Sequence, residues 1–145
     1  MITLLDVNAL IALVDTNHVH HALAKRFFQT VQTDGWATCP LTENGFLRIL
    51  GHPSYPQGPG SPDAVRILLQ SLLSMPGHQF WPDDLSLSDP RLFPVLPASN
   101  DLTDLYLLAL AAKRRARFAT FDQRIDPGLL PGGPAANYVI PMASV

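Results

Sequence analysis

Residues 1–15 have the sequence MITLLDVNALIALVD, in which a single aspartate, Asp6, directly follows an apolar run. Residues 2–5 predict a buried β-strand, and a helix is predicted after it to about Val14, with Asn8 as a plausible cap. A lone carboxylate at the end of a buried strand costs several kcal/mol or more unless it is paired, hydrogen-bonded or bound to a metal. The position of Asp6 therefore predicts a partner for its charge.

Further strands and helices alternate along the rest of the chain. Helices are predicted at residues 20–32, in LTENGFLRILGH with Thr42 as the cap, at residues 61–74, and in DLTDLYLLALAAKRRA with Asn100 as the cap. Strands are predicted at residues 36–39, 79–81, 117–121 and 138–140, and residues 83–93 fit either a short helix or a turn. This alternation predicts an α/β fold with a central, mostly parallel sheet covered by helices on both faces.

Length and composition restrict the class of protein. The chain has 145 residues, of which 47% are hydrophobic, so we expect one domain spanning residues 1–145. A single cysteine, Cys39, and an N-terminus without signal-peptide features predict a reducing, cytoplasmic setting. The apolar runs are too short to cross a bilayer, which needs about 20 apolar residues, so no membrane attachment is expected.

The charge balance also limits the way in which this chain can contact nucleic acid. The formal net charge is -2, which excludes a uniformly basic surface. The one dense basic cluster, AKRRARF at residues 112–118, closes a predicted helix, where the negative end of the helix dipole favours cations. Any contact with nucleic acid must therefore be local.

Three acidic residues lie close behind predicted strands. Asp6 and Asp122 directly follow strands, and Glu43 lies at the turn from a strand into a helix. In open parallel sheets, ligands bind beyond the carboxyl ends of the strands. The three carboxylates are therefore expected to meet at one edge of the sheet.

A fourth acid, Asp104, lies inside an otherwise apolar helix. Leu107, Leu108 and Ala111 follow it at i+3, i+4 and i+7, so they share its face of the helix. Asp101 is explained by the positive end of the helix dipole. For Asp104 the apolar face favours a functional site, which it would share with the other three acids.

Four carboxylates in one pocket cannot all remain ionised without a cation. Hard divalent ions with oxygen ligands, Mg²⁺ or Mn²⁺, fit such a site, and no Cys/His spacing here indicates zinc. A site of this kind is suited to hydrolysis of phosphodiester bonds, because a bound ion activates water and stabilises the leaving oxygen. The predicted activity is that of a hydrolase.

Four short motifs carry a family resemblance. They are DVN at residues 6–8, TEN at 42–44, TDLYLLALA at 103–111 and ATFD at 119–122. In this order and spacing they resemble the PIN domain, specifically the VapC-type ribonuclease toxins of bacterial toxin-antitoxin pairs. The resemblance covers nearly the whole chain and implies a PIN-like three-layer α/β/α sandwich.

The resemblance also implies roles for particular residues. It assigns Asp6, Glu43, Asp104 and Asp122 to the catalytic acids, with Asp6 and Asp104 as metal ligands and with Glu43 and Asp122 binding the metal directly or through water. Three further positions are candidates for substrate contact or ligand orientation: Asn8, Thr120 and Arg48. Asn8 can equally cap a helix, Thr120 can equally fill a strand, and Arg48 can equally lie on a solvated helix face.

The resemblance implies three partners: an RNA substrate, a cognate antitoxin protein and a second copy of the chain in a homodimer. The RNA would be transfer RNA or ribosomal RNA. Two alternatives stay open: a PIN-like module that binds RNA or protein without cutting, and a PIN nuclease outside any toxin-antitoxin pair. The run HVHH at residues 18–21 is assigned a structural role, because it lacks the further partners that a closed zinc site needs.

Overall fold

The computed structural model describes residues 1–142 and confirms the α/β class. The strands are β1 (Thr3–Leu5), β2 (Trp36–Thr38), β3 (His78–Phe80), β4 (Arg117–Thr120) and β5 (Asn137–Val139). The helices are α1 (Val7–Val14), α2 (His21–Val31), α3 (Pro40–Leu50), α4 (Pro62–Leu73), α5 (Leu102–Lys113) and α6 (Gly133–Ala136). The predicted single domain stays a prediction, and its last three residues lie outside the described range.

The strands form one sheet in the order β3-β2-β1-β4-β5, and every neighbouring pair in it is parallel. The sheet expected to be mostly parallel is therefore parallel throughout residues 1–142. β1 is the central strand, because Thr3 is in register with Trp36 on one side and with Arg117 on the other. This order places the residues that follow β1 and β4 next to each other.

Helices cover both faces of the sheet, as the alternation of buried residues requires. Leu4 and Phe118 point to one face and pack against the buried side of α5. Leu5 and Trp36 point to the other face and pack against residues of α1 to α4. Successive side chains of a strand alternate between faces, so a three-residue strand that is fully buried needs a helical layer on each side. The predicted three-layer sandwich is confirmed.

The predicted helix caps are wrong at Asn8, Thr42 and Asn100. Asp6, not Asn8, caps α1, with its carboxylate accepting from the N–H of Val7. α3 begins earlier than expected, at Pro40, because Cys39 occupies the cap position and its N–H donates to the Thr42 hydroxyl. A short 3₁₀ turn precedes α5, so Asn100 lies one residue before the cap position. Each error is one to three residues, which is the usual uncertainty of a helix boundary.

The basic cluster at the end of α5 makes tertiary contacts in addition to any interaction with the helix dipole. Lys113 and Arg114 each lie 3.2 Å from the carboxylate of Asp84, and the Arg114 guanidinium lies 4.9 Å above the Trp81 ring. These contacts hold residues 83–93, which contain turns and neither helix nor strand, against the end of α5. The cluster is structural, as expected, although its partners are on a distant segment.

No helix within residues 1–142 has both the length and the apolar content to cross a membrane.

α3 packs closely on the first turn of α1, next to Asp6, because Gly45 has no side chain at the crossing. A Cβ atom on Gly45 would lie 2.6 Å from Val7 Cγ2. Gly45→Ala should therefore lower the free energy of unfolding by about 1–3 kcal/mol, because the β-branched Val7 side chain has few rotamers with which to move away. Urea unfolding measures this change.

The exposed neighbour Asn44 provides a matched control in the same helix. Asn44→Ala should leave the free energy of unfolding within about 0.5 kcal/mol of the wild type. Alanine normally stabilises a helix relative to glycine by about 1 kcal/mol. An increase in stability in Gly45→Ala would therefore contradict the close crossing of α1 and α3.

Candidate active site

Three of the four predicted acids line one pocket. The pocket has a volume of about 340 Å³, and its lining includes Asp6, Asp104, Asp122, Asn8 and Arg124. It lies at the carboxyl ends of β1 and β4 and at the start of α5, the place expected for a ligand site in a parallel sheet. The predicted convergence is confirmed for these three acids.

Asp6 is the most buried acid of the pocket, with 5% of its surface exposed. One carboxylate oxygen accepts from the N–H of Val7 at 2.7 Å, and the other accepts from the Thr120 hydroxyl, also at 2.7 Å. Burial raises the pKa of Asp6 above its ordinary value, although these two hydrogen bonds act in the opposite direction. Asp6 is held in a fixed orientation without any direct cationic partner among these contacts.

Asn8 and Thr120 belong to the same hydrogen-bond network. The Asn8 amide donates to the Thr120 hydroxyl at 3.3 Å, and its oxygen accepts from the N–H of Phe121 at 3.3 Å. The Thr120 oxygen also accepts from the N–H of Asp122 at 2.9 Å. Asn8 therefore joins α1 to the end of β4 and does not cap α1. Thr120 lies in β4 and also joins two of the acids.

The Thr120 hydroxyl can be tested by near-isosteric replacement. Thr120→Val should lower the free energy of unfolding by about 1–3 kcal/mol, because it leaves the Asp122 N–H and the buried Asp6 carboxylate without their shared partner. Thr120→Ser keeps the hydroxyl and should lose markedly less. Urea unfolding of both variants in EDTA measures the difference, and a loss in Thr120→Ser as large as that in Thr120→Val would show that packing of the methyl group contributes as much as the hydroxyl network, contrary to the prediction.

Asp104 lies in the first turn of α5 beside a buried apolar surface. Leu107, Leu108 and Ala111, which share its face, are fully buried, as the sequence pattern predicts. Burial and the negative charges of Asp6 and Asp122 raise the pKa of Asp104 to about 7. A shift of this size and cause is typical of carboxylates gathered at a functional site.

Asp122 has a cationic partner that sequence reasoning missed. The Arg124 side chain donates to Asp122 from Nε at 2.9 Å, and its NH2 group lies 2.7 Å from the same carboxylate. The hydrogen bonds from Arg124 hold the pKa of Asp122 below its ordinary value. The only signal in the sequence was the spacing Asp-Gln-Arg, in which an arginine two residues after an aspartate can fold back on it.

Glu43 does not line this pocket, contrary to the expectation that all four acids meet. Its carboxylate accepts from the Thr38 hydroxyl at 2.8 Å, and that hydroxyl also lies 2.7 Å from His78 Nε2. Because Thr38 has one proton and gives it to Glu43, His78 must donate from Nε2. Sequence reasoning placed Glu43 in the correct turn of α3 but could not foresee that a strand hydroxyl would orient its side chain away.

Arg48 lines a neighbouring depression of about 340 Å³ instead of the acidic pocket. The two depressions share Ile49 and Tyr55 in their linings. Arg48 is therefore not part of the acidic pocket, and its predicted contact with a substrate stays a prediction.

The histidine run and the cysteine have mainly structural contacts. His20 stacks on Phe121 with ring centroids 4.8 Å apart, and His21 Nδ1 lies 2.8 Å from the carbonyl of Ala12. His18 lines the acidic pocket, a position that the sequence did not indicate. Burial raises the pKa of the Cys39 thiol to about 11, which excludes a thiolate nucleophile at neutral pH.

The acids are close but not oriented as a complete set of metal ligands. Within residues 1–142, no three Asp, Glu, His or Cys side chains have the geometry to hold a metal ion. Asp6 faces Thr120 and Val7, Asp122 faces Arg124, and Glu43 faces Thr38. The predicted ligand set therefore needs rotation of side chains.

The chemistry of the pocket nevertheless fits a hard divalent cation. Burial raises the pKa of Asp6 and of Asp104, and the Asp104 pKa is raised further by the charges of its neighbours. All the candidate ligands are carboxylate oxygens, which favour Mg²⁺ or Mn²⁺ over softer metals. A bound dication would offset the mutual repulsion of these carboxylates and favour their ionised forms.

Comparison with known sequences identifies the family of this chain. The family described as PIN domain matches residues 3–126. Ribonuclease VapC38 of Mycobacterium tuberculosis (strain ATCC 25618 / H37Rv) is 46% identical over 120 residues, which cover 82% of this chain and 84% of the relative. Ribonuclease VapC39 of the same strain is 44% identical over 124 residues, covering 84% and 89%. Ribonuclease VapC44 is 38% identical over 134 residues, covering 91% and 94%.

Comparison with solved structures agrees with the fold. A chain of VapBC2 from Rickettsia felis, in a crystal structure bound to a DNA fragment from its promoter, superposes with a TM-score of 0.54. The match covers 84% of this chain and 89% of that chain at 11% sequence identity. At this identity the likeness concerns the fold alone.

Proposed function

This chain belongs to the PIN-domain family, among its VapC ribonucleases, and from that premise we propose that it is a metal-dependent endoribonuclease that hydrolyses phosphodiester bonds in structured RNA. One observation carries the proposal: Asp6, Asp104 and Asp122, from distant parts of the chain, line one pocket. Burial and repulsion from Asp6 and Asp122 raise the pKa of Asp104 there, so a bound cation would favour the ionised form of these carboxylates.

The residues that would hold Mg²⁺ or Mn²⁺ are Asp6 and Asp104, with Asp122 as a direct or water-mediated ligand. When bound, the ion activates a water molecule and stabilises the leaving oxygen of the phosphodiester. Glu43 would complete the catalytic set only after its carboxylate leaves Thr38, which requires a side-chain rotation in the first turn of α3.

Two other residues position the acids. The Thr120 hydroxyl fixes one oxygen of Asp6 and also accepts from the Asp122 backbone, so it sets the spacing of the two acids. Asn8 holds the end of β4 against α1 through its contacts with Thr120 and Phe121. Groups of this kind fix the rotamers of ligand carboxylates and usually affect metal affinity when replaced.

The proposed partners are an RNA substrate, a cognate antitoxin and a second copy of the chain. The relatives named ribonucleases support an RNA substrate, and the VapC-type family membership supports an antitoxin. Co-expression with the product of the adjacent upstream gene, followed by affinity purification, tests the antitoxin. Light scattering on the purified chain tests the homodimer, for which a mass near 16 kDa would be the contrary result.

Cleavage of labelled transfer and ribosomal RNA tests the proposed activity. Product should form with Mg²⁺ or Mn²⁺, disappear in EDTA, and be absent or nearly so with Asp104→Asn. Equal cleavage under all three conditions would indicate a contaminating nuclease. Binding of RNA without cleavage under any of them would favour a non-catalytic PIN module instead.

A further inference from the structure

Arg124 is the only lysine or arginine in the lining of the acidic pocket within the described residues. Its side chain is 62% exposed, and it contacts the Asp122 carboxylate through both Nε and Nη2. An arginine does not lose its proton in a protein, so this positive charge is present at every pH at which the protein is folded. In the metal-free pocket Arg124 therefore supplies the positive charge closest to Asp122.

The pairing itself has a local cause, which a second copy of the same spacing reveals. In Asp-Pro-Arg at residues 89–91, the Arg91 side chain folds back on Asp89 with distances of 3.2 and 3.1 Å. In both places the arginine N–H also donates to the aspartate at 2.9 Å. The pairing of Arg124 with Asp122 is thus a property of the turn and by itself indicates no function.

The surroundings of Arg124 distinguish it from Arg91. Arg124 Nε lies 3.8 Å from one oxygen of Asp101, and that oxygen is buried and accepts no hydrogen bond within the described residues. The Arg124 charge also opposes the rise in the pKa of both Asp6 and Asp104. The guanidinium therefore bridges the end of β4 and the start of α5 and offsets part of the negative charge of the acidic pocket.

We propose that Arg124 is the counterion of the metal-free pocket, that it competes with the divalent cation for Asp122, and that after displacement its guanidinium binds a phosphate of the RNA. The competition follows from charge, because a dication and a guanidinium are drawn to the same carboxylate oxygens. The second role follows from shape, since the planar fork of arginine donates two parallel hydrogen bonds to a phosphate as readily as to a carboxylate. This inference rests on the proposed function.

Replacing such a residue should strengthen the binding of the metal ion and weaken the binding of RNA. Arg124→Gln removes the competing charge, so Mn²⁺ titrated into the metal-free protein should bind about fivefold more tightly, the size expected for loss of one exposed ion pair. The same variant should raise the KM for RNA about tenfold with a smaller change in kcat, since it loses a phosphate contact. A purely structural arginine would weaken both when replaced.

Arg91→Gln is the matched control, because it breaks the same local pairing at a residue that does not line the acidic pocket. It should bind Mn²⁺ and cleave RNA as the wild type does, and circular dichroism should show that all three proteins are folded. Equal or weaker Mn²⁺ binding by Arg124→Gln, or an unchanged KM, would overturn the inference while leaving the proposed function intact. Failure of the wild type itself to bind Mn²⁺ would overturn the proposed function, and the inference with it.

Discussion

Replacing Asp6 with asparagine is expected to reduce metal-dependent RNA cleavage by at least about a hundredfold. A neutral amide at this position cannot supply the negative charge that holds a divalent ion. Replacing even the groups that orient a metal ligand typically costs about 10–100-fold, so loss of a ligand should cost at least the upper end of that range. Asp6 is also the most buried acid of the pocket, and Val7 and Thr120 fix the orientation of its carboxylate. Initial rates on labelled RNA with saturating Mn²⁺ measure the loss.

The fold of Asp6→Asn should remain intact. Burial already raises the pKa of Asp6, so the metal-free pocket favours a neutral group at this position, and an amide satisfies that preference. Its oxygen can still accept from the N–H of Val7. Asp63→Asn, in the exposed first turn of α4, is the control that should cleave RNA normally. Unfolding of Asp6→Asn, or cleavage at the wild-type rate, would show that Asp6 has only a structural role.

Asp104→Asn is expected to change the way in which stability depends on pH. In the folded, metal-free protein the pKa of Asp104 is about 7, against an ordinary value of 3.8. Between these two values the folded state binds more protons than the unfolded state, so the wild-type free energy of unfolding should fall as pH rises from about 4 through about 7. Asparagine carries no such proton, and the variant should therefore become more stable than the wild type as pH rises.

The expected gap at pH 8 is on the order of 2 kcal/mol, less than the full pKa shift implies because the pocket is open to water. Urea unfolding in EDTA at pH 5, 6.5 and 8 measures it, with Asp63→Asn as a control whose profile should follow the wild type. Added Mg²⁺ should stabilise the wild type more at pH 8 than at pH 5, since ions and protons compete for the same carboxylates. A gap that is constant with pH would contradict the repulsion between Asp104 and its neighbours.

The position of the site could be predicted from the sequence because it depends on long-range rules of the fold. The alternation of strands and helices implied a parallel sheet, and a parallel sheet gathers whatever follows its strands at one edge, which is how Asp6 and Asp122 meet. Asp104 was identifiable since a carboxylate interrupts an apolar helix face. Each of these inferences uses only the period of an element and the direction of its strand.

The orientation of the side chains could not be predicted, because it depends on which of several nearby hydrogen-bond partners each side chain contacts. Glu43 lies in the expected turn, yet the Thr38 hydroxyl holds its carboxylate outside the acidic pocket. Arg124 approaches Asp101 only because the fold brings the start of α5 next to the end of β4, and these segments are distant in the sequence. The helices α1, α3 and α5 were predicted correctly, but their first residues were not, because local contacts such as the Asp6 cap and the 3₁₀ turn before α5 set where each helix begins.

A divalent cation held jointly by Asp6 and Asp104 is the feature on which the proposed activity depends. Crystals of the wild-type protein grown with MnCl₂ allow a direct test, through anomalous diffraction measured near the manganese absorption edge. An anomalous peak is expected in contact with the carboxylates of Asp6 and Asp104, with Arg124 moved away from Asp122. A pocket without such a peak, in a protein whose RNA cleavage still requires Mn²⁺, would contradict the proposed metal site.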